Sequence, residues 1–321
     1  MKNLFIYVPT YNRPEAIQMQ LRALAPQVAR YPSKVRVLVN DNASENFSFD
    51  EMVKDFVQYE NIQFHRNGGN IGGNANIALG FAFAREDEFL WILSDNDIVT
   101  DSSLDYLLPF LDDKIDFFCF LDSDQEPVEV DYLWANGWQT PMDWRMGLIS
   151  DALYNFNSVK TSIDEAFYFH NSSFPHLAVA CAAAKKKGVV KFKLLPRKKI
   201  NNELFRSDEC LTDYSLSQVG MPLLAALFPP AEAKSFSINW LRSYWMDMYR
   251  NRKRHYHVYL QTRAMLAYYG GWVTKSMMFW MGPGYFIFNP IYIFKRKCIE
   301  IAKNKLSTKM IEKLKNLRGK F

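Results

Sequence analysis

The chain has 321 residues, 49% hydrophobic and 23% charged, a globular composition that excludes disordered and fibrous classes. Its formal charge of +5 averages two unlike parts. Residues 235–321 carry 17 Lys or Arg against Asp247, Glu300 and Glu312, net +14, which leaves 22 basic and 31 acidic side chains, net −9, on residues 1–234. Two domains are therefore expected, an acidic body over 1–234 and a basic, aromatic extension over 235–321. Their boundary follows Phe228-Pro229-Pro230, where consecutive prolines stop regular structure. Cys119, Cys181, Cys210 and Cys298 form no C-x-x-C pair, so neither a zinc knuckle nor a disulfide framework is indicated, and a reducing compartment is expected.

In chain order, the apolar run over 4–9 is too short for the core of a secretory leader and reads as a buried first strand. Further strands are predicted over 35–40, 62–65, 89–93 and 117–121. Helices are predicted over 14–25, with Pro14 in the first turn, and over 49–58, 74–84 and 102–111. This alternation is the pattern of a parallel sheet covered by helices. Residues 128–174 show no sustained period and read as loops and short helices suited to lining a pocket. A helix over 175–184, a strand over 189–195 and a polar loop over 201–208 follow. Polar residues stand after each of the first four strands: Thr10-Tyr11-Asn12, Asp41-Asn42-Ala43-Ser44, Arg66-Asn67 and Ser94-Asp95-Asn96-Asp97. Open parallel sheets bind ligands at that edge.

Asp95 and Asp97 end an apolar strand and offer paired oxygens of the kind that Mg²⁺ or Mn²⁺ takes while bridging to a diphosphate. Alone, such a pair is also an ordinary strand-to-turn sequence. It stands, however, with Val8-Pro9-Thr10-Tyr11-Asn12-Arg13-Pro14, with Asn40-Asp41-Asn42 and with Arg66-Asn67-Gly68-Gly69-Asn70-Ile71-Gly72-Gly73-Asn74-Ala75-Asn76, whose glycines allow close backbone approach to a ligand. The ordered set resembles inverting family 2 glycosyltransferases of the GT-A fold over roughly the first 110 residues.

The resemblance implies an α/β fold, a Rossmann-like, mostly parallel sheet flanked by helices, with the basic segment as a helical C-terminal extension. It implies that Pro9, Thr10, Tyr11 and Arg13 line the nucleoside pocket of a nucleotide-sugar donor, a UDP-sugar being favoured. Asp41 would read the nucleobase imide, or close an Asx turn at the strand's end. Asn67, Gly72, Gly73 and Asn76 would lie beside ribose and diphosphate. Asp95, Asn96 and Asp97 would form the metal and ribose element, with Asp97 the direct Mn²⁺ or Mg²⁺ ligand and Asp95 beside it. Arg66 would touch the donor or remain a solvated charge.

Inverting transfer also needs a general base for the acceptor hydroxyl, and the family places an acidic pair at the start of a late helix. This chain has Pro175-His176 there. His176 suits base work near neutrality, or hydrogen-bonds at the helix start. Asp151 and Asp208 are its carboxylate rivals, and Asp208 could instead complete the metal site. Hydride transfer is not indicated, because the glycine spacing is not G-x-G-x-x-G and follows the third strand. Sugar nucleotidyltransfer would place a glycine loop after the first strand. A non-catalytic scaffold that keeps the nucleotide pocket is the second expectation.

In the extension, residues 239–259 interleave aromatic and basic side chains, and the 19 residues of 276–294 carry no charge. Gly282-Pro283-Gly284 and Pro290 interrupt that run, which suits insertion into one leaflet of an anionic membrane better than a straight span. Packing of the aromatics on the first domain is the alternative. The expected enzyme is cytoplasmic, peripheral on the inner face of the cell membrane, acting on a lipid-linked or oligosaccharide acceptor of a surface glycan. No nucleic-acid partner is expected, since a net −9 body repels phosphate.

Overall fold

The computed structural model describes residues 2–45, 47–133, 144–172 and 174–204, together with Leu224 and Leu227. The chain divides into two units, 1–237 and 238–321, and the second lies outside the described residues. So do the tail segments expected to meet a membrane, and Asp208.

The first half is built from β1 (Asn3–Thr10), α1 (Pro14–Ala29), β2 (Val35–Asp41), α2 (Phe49–Val53), β3 (Ile62–Arg66), α3 (Gly73–Phe83) and β4 (Glu88–Ile92). Their strands stand in the order β3-β2-β1-β4, all parallel. Continuous apolar runs make them: Leu4 through Val8 and Phe89 through Leu93 are buried, as befits strands covered on both faces. Register then carries chemistry to one edge, because Thr10 pairs with Asp41 and Asp41 with Arg66. The Leu93 amide donates to the Tyr7 carbonyl at 2.9 Å, so residues 94–97 emerge beside the loop after β1.

The second half comprises β5 (Asp97–Val99), α4 (Ser103–Leu107), β6 (Phe117–Leu121), β7 (Val128–Leu133), β8 (Ala152–Asn155), α5 (Phe156–Val159), α6 (Asp164–Tyr168), α7 (Pro175–Lys187), β9 (Val189–Pro196) and β10 (Asn201–Leu204). The main sheet has eight strands in the order β3-β2-β1-β4-β8-β6-β9-β7, and β5 pairs with β10 in a separate ribbon. Strand β8 runs antiparallel to both neighbours, and β7 is antiparallel to β9. The α/β, mostly parallel architecture expected from the sequence is present.

Three expectations are corrected. Residues 128–174 hold β7 and β8 besides loops and short helices: β8 is four buried residues, too few to display a period, and β7 is an edge strand with mostly exposed side chains. The loop expected over 201–208 begins as a strand, because β10 finds β5 as partner. The helices expected over 49–58 and 102–111 shorten to α2 and α4, each continued by a single 3-10 turn, Lys54–Phe56 and Leu108–Phe110. In contrast α1 continues through Pro26 to Ala29, with Gln27 and Val28 buried. Among the described residues no helix is long and apolar enough to cross a membrane.

Helix α3 packs tightly on β1. A Cβ built on Gly80 would stand 2.8 Å from Cδ1 of Tyr7, whose ring is buried and whose hydroxyl donates to the Asn76 carbonyl at 2.7 Å. The ring is held at both ends and cannot swing aside. Gly80→Ala is expected to destabilise the fold in chemical denaturation, because overpacking costs about 1–3 kcal/mol, against a helix-propensity gain of about 1 kcal/mol.

Candidate active site

Four strand ends and the loops after them make the edge. The loops after β1 and β2 are knotted together by polar contacts: the Asn42 amide donates to the Thr10 carbonyl at 2.9 Å, the Asn12 amide to Ser44 Oγ at 2.8 Å and the Glu45 amide to Asn12 Oδ1 at 2.8 Å. These bonds hold Asn12 and Ala43 in the left-handed region, at φ 53° and 60°. Such a conformation costs a non-glycine residue on the order of 1–3 kcal/mol and persists only where the surroundings determine it.

Asp41 is fully buried, and its carboxylate accepts the Ser44 amide at 3.1 and 3.2 Å as well as the Ser44 hydroxyl. Arg66 Nε stands 3.5 Å from it, and Arg66 Nη2 donates to the Ser44 carbonyl at 2.6 Å. Arg66 is therefore tied to the loop after β2 while its side chain stays 43% exposed. Asp41 closes the turn.

The glycine-rich loop is fastened by asparagines. Asn40 Nδ2 donates to Tyr7 Oη at 2.8 Å and to Asn76 Oδ1 at 2.5 Å, while Asn76 Nδ2 returns a bond to the Asn40 carbonyl at 3.2 Å. Asn67 Nδ2 donates to Asn42 Oδ1 at 3.0 Å, and that same oxygen accepts the Ile71 amide at 3.0 Å. Asn76 is thus buried under the loop rather than on its open side. Gly72 adopts φ +89°, which a side chain would oppose, and Cβ atoms on Gly68, Gly69, Gly72 and Gly73 would meet open space. The loop leaves room for a ligand against its backbone.

Asp95 is the anchored member of the aspartate pair. Thr10 Oγ1 donates to its Oδ2 at 2.8 Å and Arg13 Nη1 to its Oδ1 at 3.0 Å. Burial raises its pKa above the usual carboxylate value, and Arg13 and Thr10 oppose that shift. Asp97, 6% exposed, has burial as the main cause of its own raised pKa, offset by a hydrogen bond from the Ser150 side chain and by the charge of Arg197. Its Oδ1 meets no hydrogen-bond partner among the described residues. Asn96 is buried between the two, its amide donating to Ser94 Oγ at 3.3 Å. Pro9, Tyr11 and Arg13 are half-exposed on the loop after β1.

A buried carboxylate oxygen without a partner fits a cation, since desolvation penalises the bare charge. Both Asp95 oxygens are engaged by the first loop. Among the described residues there is no cluster of three His, Cys, Asp or Glu able to hold a metal. Asp97 would therefore hold Mn²⁺ or Mg²⁺ together with donor phosphate oxygens and water, the mixed ligand set common for Mg²⁺.

Two base candidates lie in the described residues, and both are buried with one polar atom engaged. His176 is 1% exposed at the start of α7, its Nε2 3.0 Å from the Gly147 carbonyl, and burial lowers its pKa to about 4. Asp151 is fully buried and takes Arg197 Nε on Oδ1 at 2.8 Å. Sequence reasoning missed Arg197, Ser150 and Asn40. The turn at Ser150 and the strand before Arg197 become neighbours only when β8 inserts into the sheet, and nothing in their local sequence marks that.

The edge thus brings two aspartates after the fourth strand beside a glycine loop after the third, as the sequence resemblance implied. Residues 5–121 match the family described as glycosyl transferase family 2. Over 113 residues the chain is 28% identical to the abequosyltransferase RfbV of Salmonella typhimurium, a stretch covering 35% of this chain and 33% of that protein. The chain thus matches about a third of the length of this curated relative. In three dimensions it is similar to S. aureus TarS in complex with UDP-GlcNAc, with a TM-score of 0.55, 16% identity, and coverage of 83% of this chain and 80% of that one. It is also similar to the mannosyltransferase PcManGT from Pyrobaculum calidifontis in complex with GDP-Man and Mn²⁺, with a TM-score of 0.52, 12% identity, and coverage of 91% and 83%. These likenesses establish the GT-A fold.

Buried His176 makes stability depend on pH in a definite direction. Its pKa rises from about 4 in the folded protein to the ordinary 6.5 on unfolding, so the unfolded chain binds the extra proton between those values. The contribution is complete above pH 6.5 and is lost as pH falls toward 4. In urea denaturation across that range, the difference in unfolding free energy between wild type and His176→Gln is expected to shrink steadily with acidification.

Proposed function

We propose that the protein is an inverting, metal-dependent glycosyltransferase that moves a sugar from a nucleotide-sugar donor, a UDP-sugar being favoured, to a lipid-linked or oligosaccharide acceptor of a surface glycan. The observation that carries this reading is the buried, unpartnered Oδ1 of Asp97 at the edge where the family 2 domain gathers its polar loops. Support for the donor class comes from structural neighbours bound to UDP-GlcNAc and GDP-Man, and for the cation from the Mn²⁺ named with PcManGT. Support for a surface glycan comes from the likeness to RfbV and from the +14 aromatic extension, which we place on the inner face of the cell membrane.

The proposed chemistry is a direct displacement. An acceptor hydroxyl attacks the anomeric carbon, the bond to the donor diphosphate breaks with its electron pair leaving on phosphate, and configuration inverts. A bound divalent cation would neutralise charge on the departing diphosphate. Thr10 and Arg13 keep Asp95 and the first loop in one geometry, and the open backbone at Gly72 and Gly73 admits the diphosphate beside the N-terminus of α3. His176 is buried with its pKa lowered to about 4 and Asp151 is buried against Arg197, so we assign the acceptor proton to Asp208. The alternative, a nucleotide-sugar-binding subunit without catalysis, is favoured by the buried Pro175-His176 pair where the family carries acids.

The test is transfer and donor hydrolysis by the full chain with Mn²⁺ across a panel of nucleoside-diphosphate sugars. Asp97→Ala is expected to lower turnover by about 10²-fold or more, the equivalent of several kcal/mol of charge stabilisation. Asp208→Asn is expected to lower kcat by about 10²–10⁴ with donor binding retained, the range for loss of a general base. Donor binding with no turnover under any metal would instead identify the binding subunit.

A further inference from the structure

Arg197 is a charged group at this edge to which the proposed chemistry gives no role of its own. It follows β9 in the 3-10 turn Arg197–Lys199, and its side chain is only 18% exposed. Its Nε donates to Asp151 Oδ1 at 2.8 Å, and Nη1 lies 3.9 Å from Asp122 Oδ1. Asp151 ends the 3-10 turn Ile149–Asp151 that leads into β8. The preceding residue, Ser150, is the one that bonds the Asp97 carboxylate.

That turn is held from several directions. Trp91 Nε1 in β4 donates to the Ser150 carbonyl at 2.9 Å, and Asn201 Nδ2 in β10 donates to the same oxygen at 3.3 Å. The Ser94 amide donates to Ser150 Oγ at 2.9 Å, which leaves the hydroxyl proton for Asp97. The Arg197–Asp151 contact alone among these pairs two full charges, and a buried charge stays buried only while its partner is in place. Loss of Arg197 removes the opposite charge from buried Asp151 and so disturbs the turn at the end next to Ser150.

We propose that Arg197 and Asp151 form a positioning pair, an ion pair that fixes the Ile149–Asp151 turn so that Ser150 holds the Asp97 carboxylate with Oδ1 left for a divalent cation. The inference rests on the reading of Asp97 as the cation ligand. It also gives Asp151 a structural charge to neutralise in place of a proton to remove. Groups that orient a metal ligand in this way influence metal affinity without touching the metal.

The experiment is Mn²⁺ binding to the full-length protein, followed by electron paramagnetic resonance without nucleotide, with UDP binding in EDTA as a second measurement. Asp97→Ala is expected to remove specific Mn²⁺ binding. Ser150→Ala and Arg197→Gln are each expected to weaken it about tenfold or more, the usual range for such orienting groups, with UDP affinity in EDTA within twofold of wild type. Arg197→Lys is expected to recover part of the loss, and the Ser150→Ala/Arg197→Gln double variant to bind no more weakly than the weaker single one. Should Arg197→Gln not fold, Arg197→Lys is read in its place. Mn²⁺ affinity within twofold of wild type in Ser150→Ala or in the Arg197 variant read, with binding lost in Asp97→Ala, overturns the positioning pair and leaves Asp97 as the ligand. Wild-type Mn²⁺ binding by Asp97→Ala overturns both.

Discussion

The carboxylate of Asp95 is buried with a hydroxyl and a guanidinium as partners, and both come from the loop after β1. Taking a carboxylate out of water costs several kcal/mol, which only a well-placed opposite charge and hydrogen bonds can offset. The loop after β1 therefore cannot move independently of the end of β4. Asp97, two residues farther on, inherits that fixed position with its Oδ1 still unengaged among the described residues. The asparagine bonds from Asn40 and Asn42 do the same for the glycine loop, so three separate connections are set relative to one another by polar contacts rather than by apolar packing.

Four acidic residues at this edge show how environment divides their roles. Asp41 is consumed by its own turn, Asp95 by Arg13 and Thr10, and Asp151 by Arg197. Asp97 keeps an oxygen open among the described residues. Net charge would not have ranked them, since all four lie in the −9 part of the chain. What divides them is desolvation against the fixed donors each one meets, and Oδ1 of Asp97 meets none among the described residues.

The sequence was most legible where a strand is long and covered on both faces. Leu4 through Val8 and Phe89 through Leu93 announce themselves by unbroken apolar runs, and the parallel register then delivers Thr10, Asp41 and Asp95 to one edge. It was least legible where partners are remote. Strand β8 has four residues, and β10 is a strand only because β5 lies beside it. The Pro175-His176 helix start was readable as a helix start, while the histidine's burial depends on the Met146–Gly147 backbone, 29 residues away at Gly147, in a region without a period. Arg197 was invisible for the same reason: a strand's end followed by basic residues looks like a solvated turn until Asp151 is brought under it.

Placing β8 between β4 and β6 has a consequence for how the chain assembles. The parallel half is complete in sequence at Ile92 and β6 at Leu121, yet the strand that joins them in the sheet is residues 152–155. During synthesis the two halves cannot be sewn together until that short segment has left the ribosome, and until then two strand edges stay open. Non-local closure of this sort slows folding and exposes pairing surfaces to other chains. The same segment follows directly on the turn whose Ser150 meets Asp97, so the strand that joins the two halves also carries that turn to the working edge.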